Sequence, residues 1–217
     1  LFRSRQTAAA GTAQEPSGKS IEFSDVADEY WAKEFIDRLG VANFLSGFPD
    51  GSFKPERPIT RAEFAASLNG VFGGQAEEKQ INYKDVGGNY WAREFIQRAT
   101  SVGAMNGYPD GDFRPDNSIS RTEILIALVT GLNPTVPSNV DEVLEVYQDR
   151  DRIPGWAKDK IAAATASGLV VNYPERELLN PNEPATRADV AALLYQALVF
   201  RGKLKPVDSE YVVTIDK

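Results

Sequence analysis

The feature that most constrains this chain is that it falls onto itself when shifted by 60 residues. Asp25-Val26 lands on Asp85-Val86, Tyr30-Trp31-Ala32 on Tyr90-Trp91-Ala92, and Glu34-Phe35-Ile36 on Glu94-Phe95-Ile96. Further on, Gly47 meets Gly107, Pro49-Asp50-Gly51 meets Pro109-Asp110-Gly111, and Arg61 meets Arg121, with no gap. A third copy follows at an offset of 64 to 66 from the second, through Asp149, Trp156-Ala157, Ile161, Gly168, Tyr173-Pro174, Pro181 and Thr186-Arg187. It is the divergent copy, with Pro174-Glu175-Arg176 where the others carry Pro-Asp-Gly. A fixed period of this kind marks one supersecondary unit that cannot bury its apolar face alone and stacks against its neighbours. The expected division is repeats over 21–75, 76–140 and 141–202, a flexible linker over 1–20 and a C-terminal extension over 203–217.

Each copy reads as helix, loop, helix. An aromatic residue and an Asp open it: Phe23 and Asp25, Tyr83 and Asp85, Tyr147 and Asp149. Ala32, Phe35, Ile36 and Leu39 then form an i, i+3, i+4, i+7 stripe, which predicts a first helix over roughly 30–39, and likewise 90–99 and 155–166. The Gly- and Pro-rich loop that follows contains Pro-Asp-Gly, a turn in which Pro fixes φ and Gly is free to take positive φ. A second helix is expected to start at Arg61, Arg121 and Arg187.

That second start is the most informative position. Thr60-Arg61-Ala62-Glu63, Ser120-Arg121-Thr122-Glu123 and Thr186-Arg187-Ala188-Asp189 each place a hydroxyl at the N-cap and an acid at N3, a capping box, with the shorter Asp189 expected to make a weaker one. Capping accounts for the hydroxyl and the acid but not for the Arg, because a cation in the first turn opposes the helix dipole. Either a neighbouring acid neutralises it, or it waits for an anion that would meet both the guanidinium and the free amides of the helix start.

Composition narrows the chemistry. Without Cys or His there is no thiol nucleophile, disulfide, imidazole base or Cys/His metal site, which leaves carboxylates, Lys and Tyr. A net charge of −7 argues against nucleic acid as partner, and no apolar run approaches the length of a membrane span. Asp110-Gly111-Asp112 looks like the start of a calcium loop, but its twelfth position is Arg121 where a bidentate Glu is required. No pair of carboxylates is singled out by spacing, so no enzyme activity, cofactor or metal is expected. Residues 1–20 are small and polar, as in a linker; Arg3 and Arg5 beside Leu1 and Phe2 also fit the flank of a preceding membrane segment.

The order aromatic-x-Asp-Val, Trp-Ala, Gly-aromatic-Pro-Asp-Gly-x-Phe-x-Pro and Thr-Arg-Ala-Glu resembles three S-layer homology (SLH) repeats, covering roughly 21–200. The resemblance implies an all-α, pseudo-threefold, three-lobed module whose first helices surround a shared centre and leave grooves between neighbours. It implies non-covalent attachment to the extracytoplasmic cell envelope through a cell-wall polysaccharide or peptidoglycan-linked polymer, often bearing a pyruvate ketal. Carried over residue by residue, Arg61, Arg121 and Arg187 are the anion-binding candidates, Trp31, Trp91 and Trp156 offer apolar faces to a sugar, and Asp25, Asp85 and Asp149 accept from hydroxyls. Gly47 and Gly107, with Gly168 in the third copy, are expected to let backbone approach the ligand, and the grooves of Arg61 and Arg121 are expected to bind most strongly. For each Trp a core position, for each Asp a local cap, and for each Arg an internal salt bridge is the competing expectation. The third copy's phrase from Gly168 to Pro174 is similar to cyanobacterial members, which keeps open a protein–protein scaffold in a photosynthetic, thylakoid-associated assembly.

Overall fold

The computed structural model describes residues 21–72 and 82–215; the linker expected over 1–20 lies outside them. Among the described residues there are seven α-helices and no strand. The three first helices are α1 (Lys33–Val41), α3 (Arg93–Ser101) and α6 (Lys158–Ala166). The three second helices are α2 (Arg61–Phe72), α4 (Arg121–Leu132) and α7 (Arg187–Phe200), and they begin at the expected residues. A short α5 (Val140–Leu144) in the connection to the third repeat packs on α6.

The first helices start three residues later than the apolar stripe suggests. Residues 30–32 form a turn instead, with the Lys33 amide donating to the Tyr30 carbonyl, and none of these helices has a side-chain cap. The stripe itself holds: Ala32, Phe35, Ile36 and Leu39 are all buried. The helices end on left-handed residues, Asn43 (φ 58°), Gly103 (φ 72°) and Gly168 (φ 67°). Gly168 is therefore the partner of Asn43 and Gly103, and the position of Gly47 and Gly107 is taken in the third copy by Asn172. The sequence alignment missed this because the first copy has Asn43, and not a glycine, at the left-handed position.

The expectation that the first helices surround the centre is wrong. Each first helix packs on the second helix of the preceding repeat: α3 on α2, α6 on α4 and, closing the circle, α1 on α7. The second helices take the centre, with α7 touching both α2 and α4. Their sequences call for this, since α7 is apolar on nearly every side and buries 10 of its 14 residues, as an internal helix must. On the axis itself three backbone amides form a ring. Ile59 N donates to Ala185 O (3.0 Å), Ala185 N to Ile119 O (2.9 Å) and Ile119 N to Ile59 O (3.3 Å).

Beyond α7 the chain turns at Gly202 (φ 67°) and runs back over the third repeat, burying Leu204, Val207 and Val213. It pairs there through an antiparallel bridge between Val171 and Val212.

Because each repeat lends its helix faces and its backbone donors to another, one copy of about 60 residues has no complete core of its own. Residues 21–75 expressed alone are expected to give no cooperative thermal transition by circular dichroism. A sharp, reversible melt of that fragment contradicts this architecture.

Candidate functional site

The starts of the second helices lie where repeats meet. An α-helix leaves its first amides without internal partners, and here they are given to the next repeat. Arg61 N and Ala62 N donate to Asn117 O and Pro115 O, Arg121 N and Thr122 N to Glu183 O and Pro181 O, and Arg187 N and Ala188 N to Arg57 O and Pro55 O. The N3 amide goes to the capping hydroxyl: Glu63 N to Thr60 Oγ1, Glu123 N to Ser120 Oγ, and Asp189 N to Thr186 Oγ1. The amides that the sequence left free for an anion are thus occupied by protein. Asp189 caps as closely as the longer acids do, accepting from Thr186 N at 2.8 Å against 2.9 Å for Glu63 and Glu123.

The Arg side chains reach across the same interfaces. Arg61, 4% exposed, donates through Nε to Phe113 O, through Nη2 to Asn106 O and through Nη1 to Glu123 at 3.1 Å. Arg121, 5% exposed, donates to Leu179 O, to Val171 O and Asn172 Oδ1, and to Asp189 at 2.6 Å. The capping acid therefore serves two repeats, with one oxygen on its own helix start and the other on the incoming guanidinium. That resolves the dipole conflict in these two copies, because the positive charge sits beside a carboxylate and among carbonyls of the neighbour.

Arg187 breaks the pattern. Its Nε and Nη2 donate to Phe53 O and Ser46 O as the pattern requires. The carboxylate that should receive Nη1 is Glu63, but Glu63 Oε1 is held at 2.5 Å by Arg57 Nη2. The corresponding positions in the other repeats are Asn117 and Glu183, so only the first repeat places a cation there. Arg57 thus holds the acid that Arg187 would use, and both guanidiniums lie over the Phe48 ring, Arg57 at 5.5 Å and Arg187 at 5.0 Å, with Lys54 Nζ at 4.1 Å. Burial, reinforced by Arg57, pulls Arg187 below the ordinary arginine range. Burial opposes the charge on Glu63, but its bonds to Arg57 and to the Thr60 amide outweigh that and hold it below the usual carboxylate range.

The other candidates divide. Asp25, Asp85 and Asp149 spend both oxygens on backbone amides about 30 residues away: Phe53 and Lys54, Phe113 and Arg114, Leu179 and Asn180. Lys54, Arg114 and Asn180 all have positive φ (57°, 57° and 50°), so each Asp clamps a strained bend in its loop. At Gly47 and Gly107 an added Cβ would lie 2.4 Å from the Phe23 ring and 2.2 Å from the Tyr83 ring. These glycines make room for the repeat's own opening aromatic. Gly51 (φ 82°) and Gly111 (φ 91°) take the expected positive φ in the Pro-Asp-Gly turns. Among the Trp residues, Trp91 and Trp156 are 59% and 71% exposed, which rules out the core position for both.

A cavity opens where the first two repeats meet. Arg61, the 104–108 loop, Glu123, Ile126 and Trp156 line a cavity of about 260 Å³, so the Trp comes from the third repeat not engaged in that interface. At the Arg121 interface the corresponding Trp31 stacks on Tyr173, with ring centroids 4.9 Å apart and an interplanar angle of 5°. Trp91 holds the corresponding position in the second repeat and is exposed. An acceptor-rich wall beside an exposed indole suits a ligand with hydroxyl donors and an apolar ring face.

The S-layer homology domain model matches three segments, 22–65, 82–125 and 146–191. The chain belongs to the S-layer homology family. Among its relatives are the exoglucanase XynX of Acetivibrio thermocellus, 30% identical over 84% of this chain, and a cellulosome-anchoring protein of the same species, 38% identical over 52%. An S-layer protein of Bacillus licheniformis is 27% identical over 94%. The chain spans 17%, 27% and 23% of the lengths of those three proteins. The cyanobacterial likeness of the third copy's 168–174 phrase rests on the sequence alone.

Sequence reasoning passed over Arg57, Phe48, Asn172 and Tyr211. For two of them the signal was a departure from the SLH repeat: Arg57 stands where the second and third copies have Asn117 and Glu183, and Asn172 stands where the first two have glycine. In the buried SLH interfaces the Arg is a framework residue. Arg121→Ala strands Asp189 and three acceptors and is expected to cost about 3–5 kcal/mol, clearly more than Arg187→Ala. Chemical denaturation of the two variants checks this, and an Arg121→Ala protein as stable as the parent would sink it.

Proposed function

We propose that this module holds its parent protein to the cell envelope by gripping an anionic wall polysaccharide in the grooves between repeats, with the Arg187 groove as the strongest site. The observation that carries the reading is the guanidinium of Arg187, which lacks the carboxylate that its counterparts have and sits with Arg57 above Phe48. A ligand carboxylate, such as a pyruvate ketal presents, supplies the missing charge and accepts from both Arg in charge-assisted bonds. By the pseudo-threefold Trp91 is the indole for that sugar ring, and the cavity beside Arg61 with Trp156 is a second, weaker site, because Glu123 already neutralises its Arg. This ordering differs from the sequence expectation, which favoured Arg61 and Arg121.

Attachment and not catalysis fits the relatives. By name they include a cellulosome-anchoring protein and S-layer proteins, while the exoglucanase and the amylopullulanase match over only 17% and 10% of their lengths. On this reading the part shared with them is an attachment module, which here would hold the chain outside the cytoplasm and against wall polymer. Among the described residues no helix is long and apolar enough to cross a membrane, and no group of three or more carboxylates is arranged to hold a metal ion.

The test is co-sedimentation with envelope sacculi, before and after chemical removal of their attached polymer. Charge-assisted bonds to Arg are worth about 1.5–3 kcal/mol, so Arg187→Ala should weaken retention roughly tenfold or more. Arg57→Asn, which copies the second repeat, should also weaken it by releasing Glu63 to pair with Arg187. Retention should fall with added salt and vanish on stripped sacculi. Normal retention of Arg187→Ala, or equal retention on stripped sacculi, defeats the proposal.

A further inference from the structure

The three grooves share one plan, but the Arg121 groove is already full. Its wall, from Val170 to Tyr173, corresponds to the 105–108 loop that lines the open cavity beside Arg61. There Asn106 is exposed and Gly107 half-buried, whereas Val171 and Asn172 are 0% and 1% exposed. The cover is the segment that follows α7. Asn172 N donates to Tyr211 O at 3.0 Å and Val213 N donates to Val170 O at 2.9 Å. The Tyr211 ring meets Tyr173 and Trp31 edge-on, at 5.1 and 6.1 Å between centroids. The segment is fastened at its near end by Tyr195, whose hydroxyl donates to Lys205 O at 2.7 Å.

We infer that residues 204–215 are a built-in occupant of the Arg121 groove, so that this chain offers two grooves to ligand and not three. The claim about ligand number rests on the groove-binding function proposed above; the claim about occupancy does not. Three observations agree. Trp31, whose counterparts Trp91 and Trp156 are exposed, is half-buried here, stacked on Tyr173 with Tyr211 against the edges of both rings. The wall residues Val171 and Asn172 are sealed by backbone bonds to the segment, whereas their counterparts Asn106 and Gly107 keep exposure. What remains open beside the segment is a cavity of about 400 Å³ lined by Glu34, Asp208 and Glu210 with no basic residue, which repels an anion.

The occupancy is tested with the three Trp residues. Trp91→Phe with Trp156→Phe leaves Trp31 as the single emitter, and the matching double variant leaves Trp156. Acrylamide should quench Trp31 much less than Trp156, and Tyr211→Ala should remove that protection. Equal quenching in the parent background overturns the inference.

The absence of Cys permits a second arm that does not depend on removing buried residues. Val171 and Val212 are opposed without hydrogen bonds to each other, the close pairing of an antiparallel bridge, where Cα atoms stand about 4.5 Å apart. Val171→Cys with Val212→Cys should form a disulfide that locks the segment down. Binding of a methyl hexoside carrying a 4,6-linked pyruvate ketal, measured by calorimetry, is expected to reach two per chain in both the oxidised and the reduced protein. An extra site in the reduced form shows that ligand displaces the segment, and overturns the inference. A protein that protects Trp31 but binds no ketal sugar in either form upholds the occupant and refutes the proposed ligand.

Discussion

The structure depends on one transaction, in which each second helix gives its first two amides to the loop of the next repeat. A helix start buried without partners is strongly disfavoured, because each unsatisfied donor costs about 1–3 kcal/mol. Six such amides cross the three interfaces. The loops cannot wander, since their carbonyls must face the incoming helices, and the opening Asp of each repeat holds its loop to that shape through two further amides. The Arg that looked misplaced in the first turn belongs to the same design. Its backbone opens the helix, and its side chain finishes the attachment to the neighbour.

Much of this was legible in the sequence, and the division is physical. The repeat, the helix starts at Arg61, Arg121 and Arg187, the capping boxes and the left-handed Gly of the turns all follow from contacts within a few residues. What was not legible concerns destinations. A Thr-Arg-Ala-Glu phrase reveals that its Arg needs an acceptor, but not that the acceptors are carbonyls of a loop about 50 residues on. The central place of the first helices was an implication of the family resemblance, and the pattern of the sequence speaks against it: their amphipathic stripe fits a helix buried on one face, whereas α2, α4 and α7 have no stripe because they are buried on nearly all sides. Glycine was misleading for a related reason. Gly168 seemed to match Gly47 and Gly107, yet it serves a left-handed helix end, and the matching role in the first copy falls to Asn43.

The pseudo-symmetry is kept in the backbone and spent in the side chains. At 57, 117 and 183 the loop carbonyl performs one task, while the side chain is a cation, an amide and an acid. The change decides whether a capping carboxylate is available to the guanidinium from across the interface. At 48, 108 and 173 an aromatic ring recurs, with two guanidiniums over Phe48, two over Tyr108 and an indole against Tyr173. Duplication therefore produced one scaffold and three chemically distinct grooves.

The contacts between repeats are head-to-tail, with donors on one side of each unit and acceptors on the other. Units of that kind either propagate as an open array or, when the rotation between them returns to its start, form a closed ring. Here the third unit's donors, Arg187 and Ala188, reach the first unit's loop, and the ring shuts after three. Stacked solenoids need special capping units at both ends because their terminal faces stay unsatisfied. This molecule has no terminal unit and needs no cap. Its copy number is set by an angle and not by the length of the chain, so an added fourth repeat would find no place in the circle.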